Sequence, residues 1–176
     1  MNKQETLFDK IIAPVIVQAD NLVITDMVES DKERYFDLYM DDDLNKWWGY
    51  DYREDLGGET PSPDYFFSFQ QKLKDKKEEY ALAVKKDGVM VGELVLHNFD
   101  YFGGVEIGFR FFRESQGKGY ATKSASALME YAKTTLGATK LKTRCFKENI
   151  PSFNLIGRLG FNKVKEDETH YYFEKE

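Results

Sequence analysis

Gln116-Gly117-Lys118-Gly119-Tyr120-Ala121 stands between an apolar, strand-like run, Val105-Glu106-Ile107-Gly108-Phe109-Arg110-Phe111-Phe112, and a segment with apolar residues at Ala121, Ala125, Leu128, Met129, Ala132 and Leu136. The later spacings put those residues on one face of a helix. The chain therefore reads as strand, glycine-rich turn, helix. A helix leaves its first N–H groups without partners of its own, and glycines keep side chains out of their way. The positive end of the helix dipole adds to the attraction for an anion. The stretch predicts a phosphate site.

A nucleoside-triphosphate loop requires Ser or Thr after Gly-Lys, and here Gly119 follows Gly117-Lys118. The dinucleotide pattern G-x-G-x-x-G requires a glycine where this chain has Thr122. What fits is Q-x-x-G-x-A, on Gln116, Gly119 and Ala121, and this resembles the coenzyme A pyrophosphate loop of the GNAT N-acetyltransferases. An ordinary ligand-free turn competes as a reading of the hexamer alone, and the sequence downstream weighs against it. Asn149 and Ser152, followed by Leu159-Gly160-Phe161, are similar in order and spacing to the N-x-x-S and L-G-F of the ribosomal-protein N-terminal (alanine) acetyltransferase branch. The segment between reads as a short helix. Pro151 suits its first turn, Phe153, Leu155, Ile156 and Leu159 its buried face, and Gly160 its left-handed stop.

The resemblance covers most of the chain. Residues 21–30 read as a strand leading to a helix, with Ser30 and Glu33 spaced as a capping box. Tyr35, Phe36, Leu38 and Tyr39 give that helix its apolar residues. Asp64 reads as the cap of a second helix carrying Phe66, Phe67, Phe69 and Leu73, which ends in a solvated charged run over 72–79. Residues 53–63 between the helices form a loop. Strands over 80–85 and 89–97 flank an Asp87-Gly88 hairpin turn. Leu141, Thr143 and Cys145 alternate with Lys142 and Arg144, a strand with one buried face, and 161–164 with 170–174 make a terminal hairpin. This order is the one that the GNAT fold prescribes. The expected class is α/β (α+β), a mixed central sheet of about seven strands flanked by about four helices. One GNAT domain spans residues 1–176, with 1–20 as an N-terminal extension.

Bulk properties agree. A chain of 176 residues suits one domain with a real core, and 14 Phe, 11 Tyr and 2 Trp make its interior aromatic. No apolar stretch approaches the roughly 20 residues of a membrane span, so no membrane partner is expected. Residues 1–10 carry no signal-peptide core. The single cysteine, Cys145, cannot form an intrachain disulfide, which points to a reducing cytoplasm. His97 and His170 are far apart and no C-x-x-C or H-x-x-x-H occurs, so no metal is expected. A net charge of −6 weighs against nucleic acid and mildly favours a cationic partner such as an amine. An exposed strand or an aromatic cluster would serve a homodimer, and nothing selects either.

The resemblance implies acetyl-CoA as co-substrate and direct transfer of the acetyl group to a primary amine. The amine must lose a proton, the carbonyl oxygen must be stabilised, and the departing thiolate needs a hydrogen bond or a proton. Glu106 matches the glutamate of an E-I-G-Y pattern and is the first candidate base. Phe109 stands where that pattern has Tyr, so any role for the hydroxyl is lost. Glu93 is the reserve base and an acceptor-side candidate. The bland reading of either glutamate is a solvent-facing residue or one paired to Arg110 or a lysine. Ile156 stands where many GNAT enzymes have a proton-donating Tyr. In the branch that the chain resembles the serine of N-x-x-S does that work, which implies the role for Ser152, although Ser152 could instead help to cap its helix. Asn149 is expected to hold the pantetheine arm or to orient the helix. A backbone N–H near Phe111 or Phe112 would meet the carbonyl oxygen. The N–H groups over residues 117–121, Tyr120 included, would hold the pyrophosphate, with a hydroxyl from Thr122. Lys118 is either a phosphate contact or merely solvated. Cys145 is read as structural, since direct transfer needs no nucleophile.

The acceptor end is expected around Asp41-Asp42-Asp43, Trp47, Trp48, Tyr50 and Tyr52. Acids and rings suit a cation, although a solvated helix tip over packed aromatics fits the same residues. Three acids disfavour a helix C-terminus, so the first helix should stop near Met40. The acceptor is a protein N-terminus or a small amine such as a polyamine, amino acid or aminoglycoside. The remaining alternative is a non-catalytic acyl-CoA-binding module.

Overall fold

Asp87 and Gly88 both adopt positive φ, 51° and 80°, the conformation a two-residue hairpin demands. They join β3 (Glu79–Lys86) to β4 (Val89–His97) in a computed structural model that describes residues 4–49 and 51–176. Around this hairpin lies one eight-stranded sheet in the order β1-β2-β3-β4-β5-β6-β8-β7. The other strands are β1 (Ile16–Ala19), β2 (Leu22–Asp26), β5 (Gly104–Phe111), β6 (Lys140–Phe146), β7 (Asn162–Glu166) and β8 (His170–Lys175). All neighbours are antiparallel except β5 and β6, so the sheet is mixed as expected.

Two helical layers cover it. On one face α5 (Tyr120–Thr134) and α6 (Ile150–Arg158) bury Leu128, Ala132, Leu155 and Ile156 against Leu82, Leu94, Ile107 and Leu141. On the other, α1 (Lys32–Met40) and α4 (Pro63–Asp75) pack Tyr35, Leu38, Tyr39 and Phe66 over Ala83 and Met90. Tyr39 and Phe66 stack with centroids 4.1 Å apart. Two single-turn helices, α2 (Asp42–Asn45) and α3 (Tyr52–Asp55), connect α1 to α4. Among the described residues no helix is long and apolar enough to cross a membrane.

Several local expectations change. The stretch expected as an extension over 1–20 contributes β1 and buries Leu7 and Val15 in the main core, with residues 1–3 outside the described residues. That is the eighth strand. Asp31, not a Ser30–Glu33 box, ties the entry to α1: its carboxylate accepts the Val28 N–H at 2.9 Å and pairs with Lys85 at 2.8 Å. Ser62 caps α4 with Pro63 behind it, while Asp64 points outward to Lys32 at 2.9 Å. Phe153, expected on a buried face, is 38% exposed. The first helix does end at Met40, and the acids that follow it open the next helix. Asp41 accepts the N–H groups of Asp43 and Leu44 at 3.1 and 3.2 Å, where negative charge stabilises.

Candidate active site

The parallel ladder between β5 and β6 holds for three residue pairs, Gly104–Lys140, Val105–Leu141 and Glu106–Lys142. Beyond it the strands part, β5 running on to Phe111 and β6 to Phe146. Thr143 Oγ1 donates to the Ile107 carbonyl at 2.9 Å in the crotch of this fork. Main-chain groups alternate sides along a strand. The Phe112 N–H donates to Val91 of β4 at 3.2 Å, whereas the carbonyls of Ile107 and Phe111 bond on the fork side. The N–H groups of Phe109 and Phe111 therefore face the fork. Phe112 does not line the cavity, and its expected oxyanion role is corrected: its N–H is spent, and its ring lies 3.5 Å beneath the Arg34 guanidinium.

An open cavity of about 1310 Å³ runs through the fork and reaches both faces of the sheet. At one end lies the glycine turn. Gly117 and Gly119 have φ of 72° and 77°, and Gly119 begins α5 with no side-chain cap. A Cβ on either would meet nothing within 4 Å, so the backbone turn requires these glycines rather than crowding by the protein. The first N–H groups of α5, at Tyr120, Ala121 and Thr122, have no partners within the helix. Gln116 ties the turn to β5 by donating Nε2 to the Phe111 carbonyl at 3.0 Å. Phe111, Gln116, Gly117, Gly119, Tyr120, Ala121 and Thr122 line the cavity, and Lys118 does not.

Across the cavity, Asn149 caps α6 by accepting the Ser152 N–H at 3.3 Å. Asn149 therefore does the capping, and the Ser152 hydroxyl stands outside that bond on the cavity wall. Cys145 also lines the cavity, and burial pushes its thiol up to about 11, which leaves it a poor nucleophile.

On the α1/α4 face the glutamates separate. Glu93 is fully buried, accepting from Arg110 Nε and Nη2 at 3.2 and 2.7 Å and from Tyr35 Oη at 2.9 Å. Arg110 is completed by Asn45 Oδ1 and by the rings of Tyr39 and Trp48, each 4.4 Å from its carbon centre. Glu93 is thus committed to the core and does not line the cavity, a correction to its reading as a reserve base or acceptor contact. Glu106 does line it. Its Oε2 accepts from Asn98 at 2.8 Å, and its Oε1 lies 3.2 Å from Arg144 Nε and 3.8 Å from His97 Nε2. Trp47, against Phe146 at 5.6 Å, and Trp48, above Gly108, line the same side. Tyr50 lies outside the described residues, and Tyr52 is packed in the α1/α4 core.

Among the lining residues, Gln70, Glu79 and His97 were not read as site residues in the sequence. Burial lowers the His97 pKa, outweighing the Glu106 carboxylate that raises it, so the imidazole is neutral near pH 7. Burial, helped by Glu93, raises Glu79 to about 7. The charged run over 72–79 disguised Glu79 as one more solvated acid.

The pattern of the acetyltransferase (GNAT) domain family matches residues 21–162. The chain belongs to the GNAT acetyltransferase family. An uncharacterized N-acetyltransferase, YnaD, of Bacillus subtilis (strain 168) is 30% identical over 51% of this chain and 52% of its own length. The chain spans about half the length of the curated relatives it matches in this way. Among solved GNAT folds, RimL, a ribosomal L7/L12 alpha-N-protein acetyltransferase in complex with coenzyme A, superposes with a TM-score of 0.75 at 16% identity, over 92% of this chain and 97% of that one. A spermidine N-acetyltransferase from Vibrio cholerae, in complex with CoA and spermine, superposes with a TM-score of 0.74 at 17% identity, over 88% and 95%. At such identities the likeness is one of fold.

Proposed function

We propose that this GNAT protein transfers an acetyl group from acetyl-CoA directly to a primary amine. One observation carries the reading. A cavity joins the uncapped, glycine-led start of α5 to the carboxylate-bearing face of the sheet, and it passes through the β5/β6 fork. The fit to a diphosphate is good: the free N–H groups of residues 119–122 and two left-handed glycines form an anion cradle without a competing side-chain cap. Acetyl-CoA, when bound, supplies the activated acetyl group as a thioester.

The chain's own groups then divide the work. The N–H groups of Phe109 and Phe111 offer donors to the pantetheine amides and to the carbonyl oxygen. Ser152 Oγ donates a hydrogen bond to the departing sulfur, a reading supported by its place in the cavity lining. Glu106, held by Asn98 and Arg144 at the crotch of the fork, takes the amine's proton directly or through a water. The acceptor is a protein N-terminus, which the N-x-x-S pattern favours, or a small amine. The proteins of similar fold include one named for each kind.

A panel of amines tests this by release of free thiol from acetyl-CoA, with calorimetry on the same samples. Thiol release that depends on an amine is the expected result. Tight acetyl-CoA binding with no release for any amine, peptide or small, would make the protein a binding module instead.

A further inference from the structure

The cavity has an end that the acyl-transfer chemistry leaves unused. Beyond Glu106, the row of directly paired residues continues to His97 on β4 and Glu79 on β3. Gln70 of α4 closes this end. It is 5% exposed, its Nε2 reaches the Tyr39 hydroxyl at 3.4 Å, its amide also favours the ionised Glu79 carboxyl, and its Oε1 is buried with no hydrogen-bond donor. A buried amide oxygen without a donor is costly. Here it lines a cavity beside a carboxyl group, with Phe69, Leu73 and Trp48 as apolar walls.

The charges around it are settled one by one. Arg110 is neutralised by Glu93 in the buried pair. His97 is held neutral by burial, and Arg144 is engaged by Glu106. The groups that bear on Glu79 are Glu93 and His97 from β4, Arg110 from β5, Gln70 from α4, and Glu78 beside it. No cation among them is left over to pair with Glu79. An ammonium group carries three donors and no acceptor, which suits an orphaned amide oxygen and a carboxylate together.

We infer that Glu79 and Gln70 form a subsite for a second ammonium group on the acceptor, so that the preferred substrate is a small diamine or polyamine. The inference rests on the acyltransfer reading and narrows its acceptor. Neighbouring strands lie about 4.8 Å apart, so the β3 subsite is roughly 10 Å from the β5 fork. That span suits a chain of about four to six methylenes between the amines, at up to about 1.3 Å each when extended. Without ligand, a protonated Glu79 can serve Gln70 Oε1. An arriving ammonium replaces that donor, and Glu79 gives up its proton. Diamine binding should therefore strengthen as pH rises through about 7.

The test compares α,ω-diamines of three to six carbons with monoamines of equal length, in wild type, Glu79→Gln and Gln70→Leu. Wild type should show a kcat/KM for diamines at least roughly ten-fold above the matched monoamines, carried by KM. Glu79→Gln should erase that preference while leaving monoamine turnover and acetyl-CoA affinity unchanged, and Glu79→Asp should restore part of it. Independently of turnover, a diamine alone at pH 8 should raise the melting temperature of wild type and not of Glu79→Gln. Equal use of mono- and diamines by wild type, or a preference that survives in Glu79→Gln, overturns the subsite and leaves acyl transfer standing. Diamine-dependent stabilisation lost in Glu79→Gln, with no thiol released from any amine, supports the subsite and removes the transferase reading.

Discussion

The two ends of the cavity are made of different material. At the α5 end the proposed binding groups are main-chain amides, exposed by two glycines with φ above 70° and by a helix that begins without a cap. At the α4 end they are side chains from three elements, and their state depends on what each one touches. Glu93 and Glu79 show this most clearly. Both point to the same face of neighbouring strands. Glu93 receives three hydrogen bonds and belongs to the core, while Glu79 has no cation of its own and sits poised near neutrality. Backbone sites are fixed by local geometry, whereas side-chain sites are fixed by partners.

The contrast is most exposed at Arg110. Arg110→Ala leaves Glu93 buried without its counter-charge and should cost about 3–5 kcal/mol in urea unfolding. A loss near 1 kcal/mol would mean that the pair is not the structural half of this face. At the other end, Gly119→Asp places a bulky negative group at a left-handed position in the anion cradle. Acetyl-CoA affinity should fall at least about 100-fold by calorimetry, with the circular dichroism spectrum retained. Undiminished affinity would break the main-chain account of that end.

Glu79 offers a subtler measurement. Its folded pKa of about 7 lies above the ordinary 4.5, so the folded state binds the proton more tightly than the unfolded one. Its contribution is fully present below pH 4.5 and is lost as pH rises through 7, on the order of 3 kcal/mol. Between pH 5 and pH 8 the melting temperature of wild type should fall more than that of Glu79→Gln, and parallel curves would place Glu79 in water. Smallest of all, Ser152→Ala should lower kcat about ten-fold with acetyl-CoA affinity unchanged, because Asn149 keeps the helix cap. Unchanged turnover would remove the hydroxyl from the reaction.

The α5 end was legible in the sequence because its chemistry is local. Gln116, Gly117 and Gly119 sit within four residues of one another, and their strand-turn-helix context is set by periodicity alone. The order of the elements, the Asp87-Gly88 turn and the Gly160 stop were legible for the same reason. The acids at 41–43 were half legible. Their disfavour for a C-terminus was right, but the short helix they open could not be seen in so brief a segment.

What sequence alone determined is the glycine-led start of α5 and the order of β2 to β8 with the four longer helices, since both follow from the φ preferences and spacing of neighbours in the chain. Only the tertiary structure decided the acceptor end. A two-residue turn at 87–88 pairs Lys86 with Val89, and an uninterrupted ladder would then set Glu79 opposite Leu96. An irregularity at Val84/Lys85 shifts the register by one and sets Glu79 opposite His97 instead. Side chains in a sheet alternate faces with a period of two, so that single slipped residue brings three titratable groups abreast.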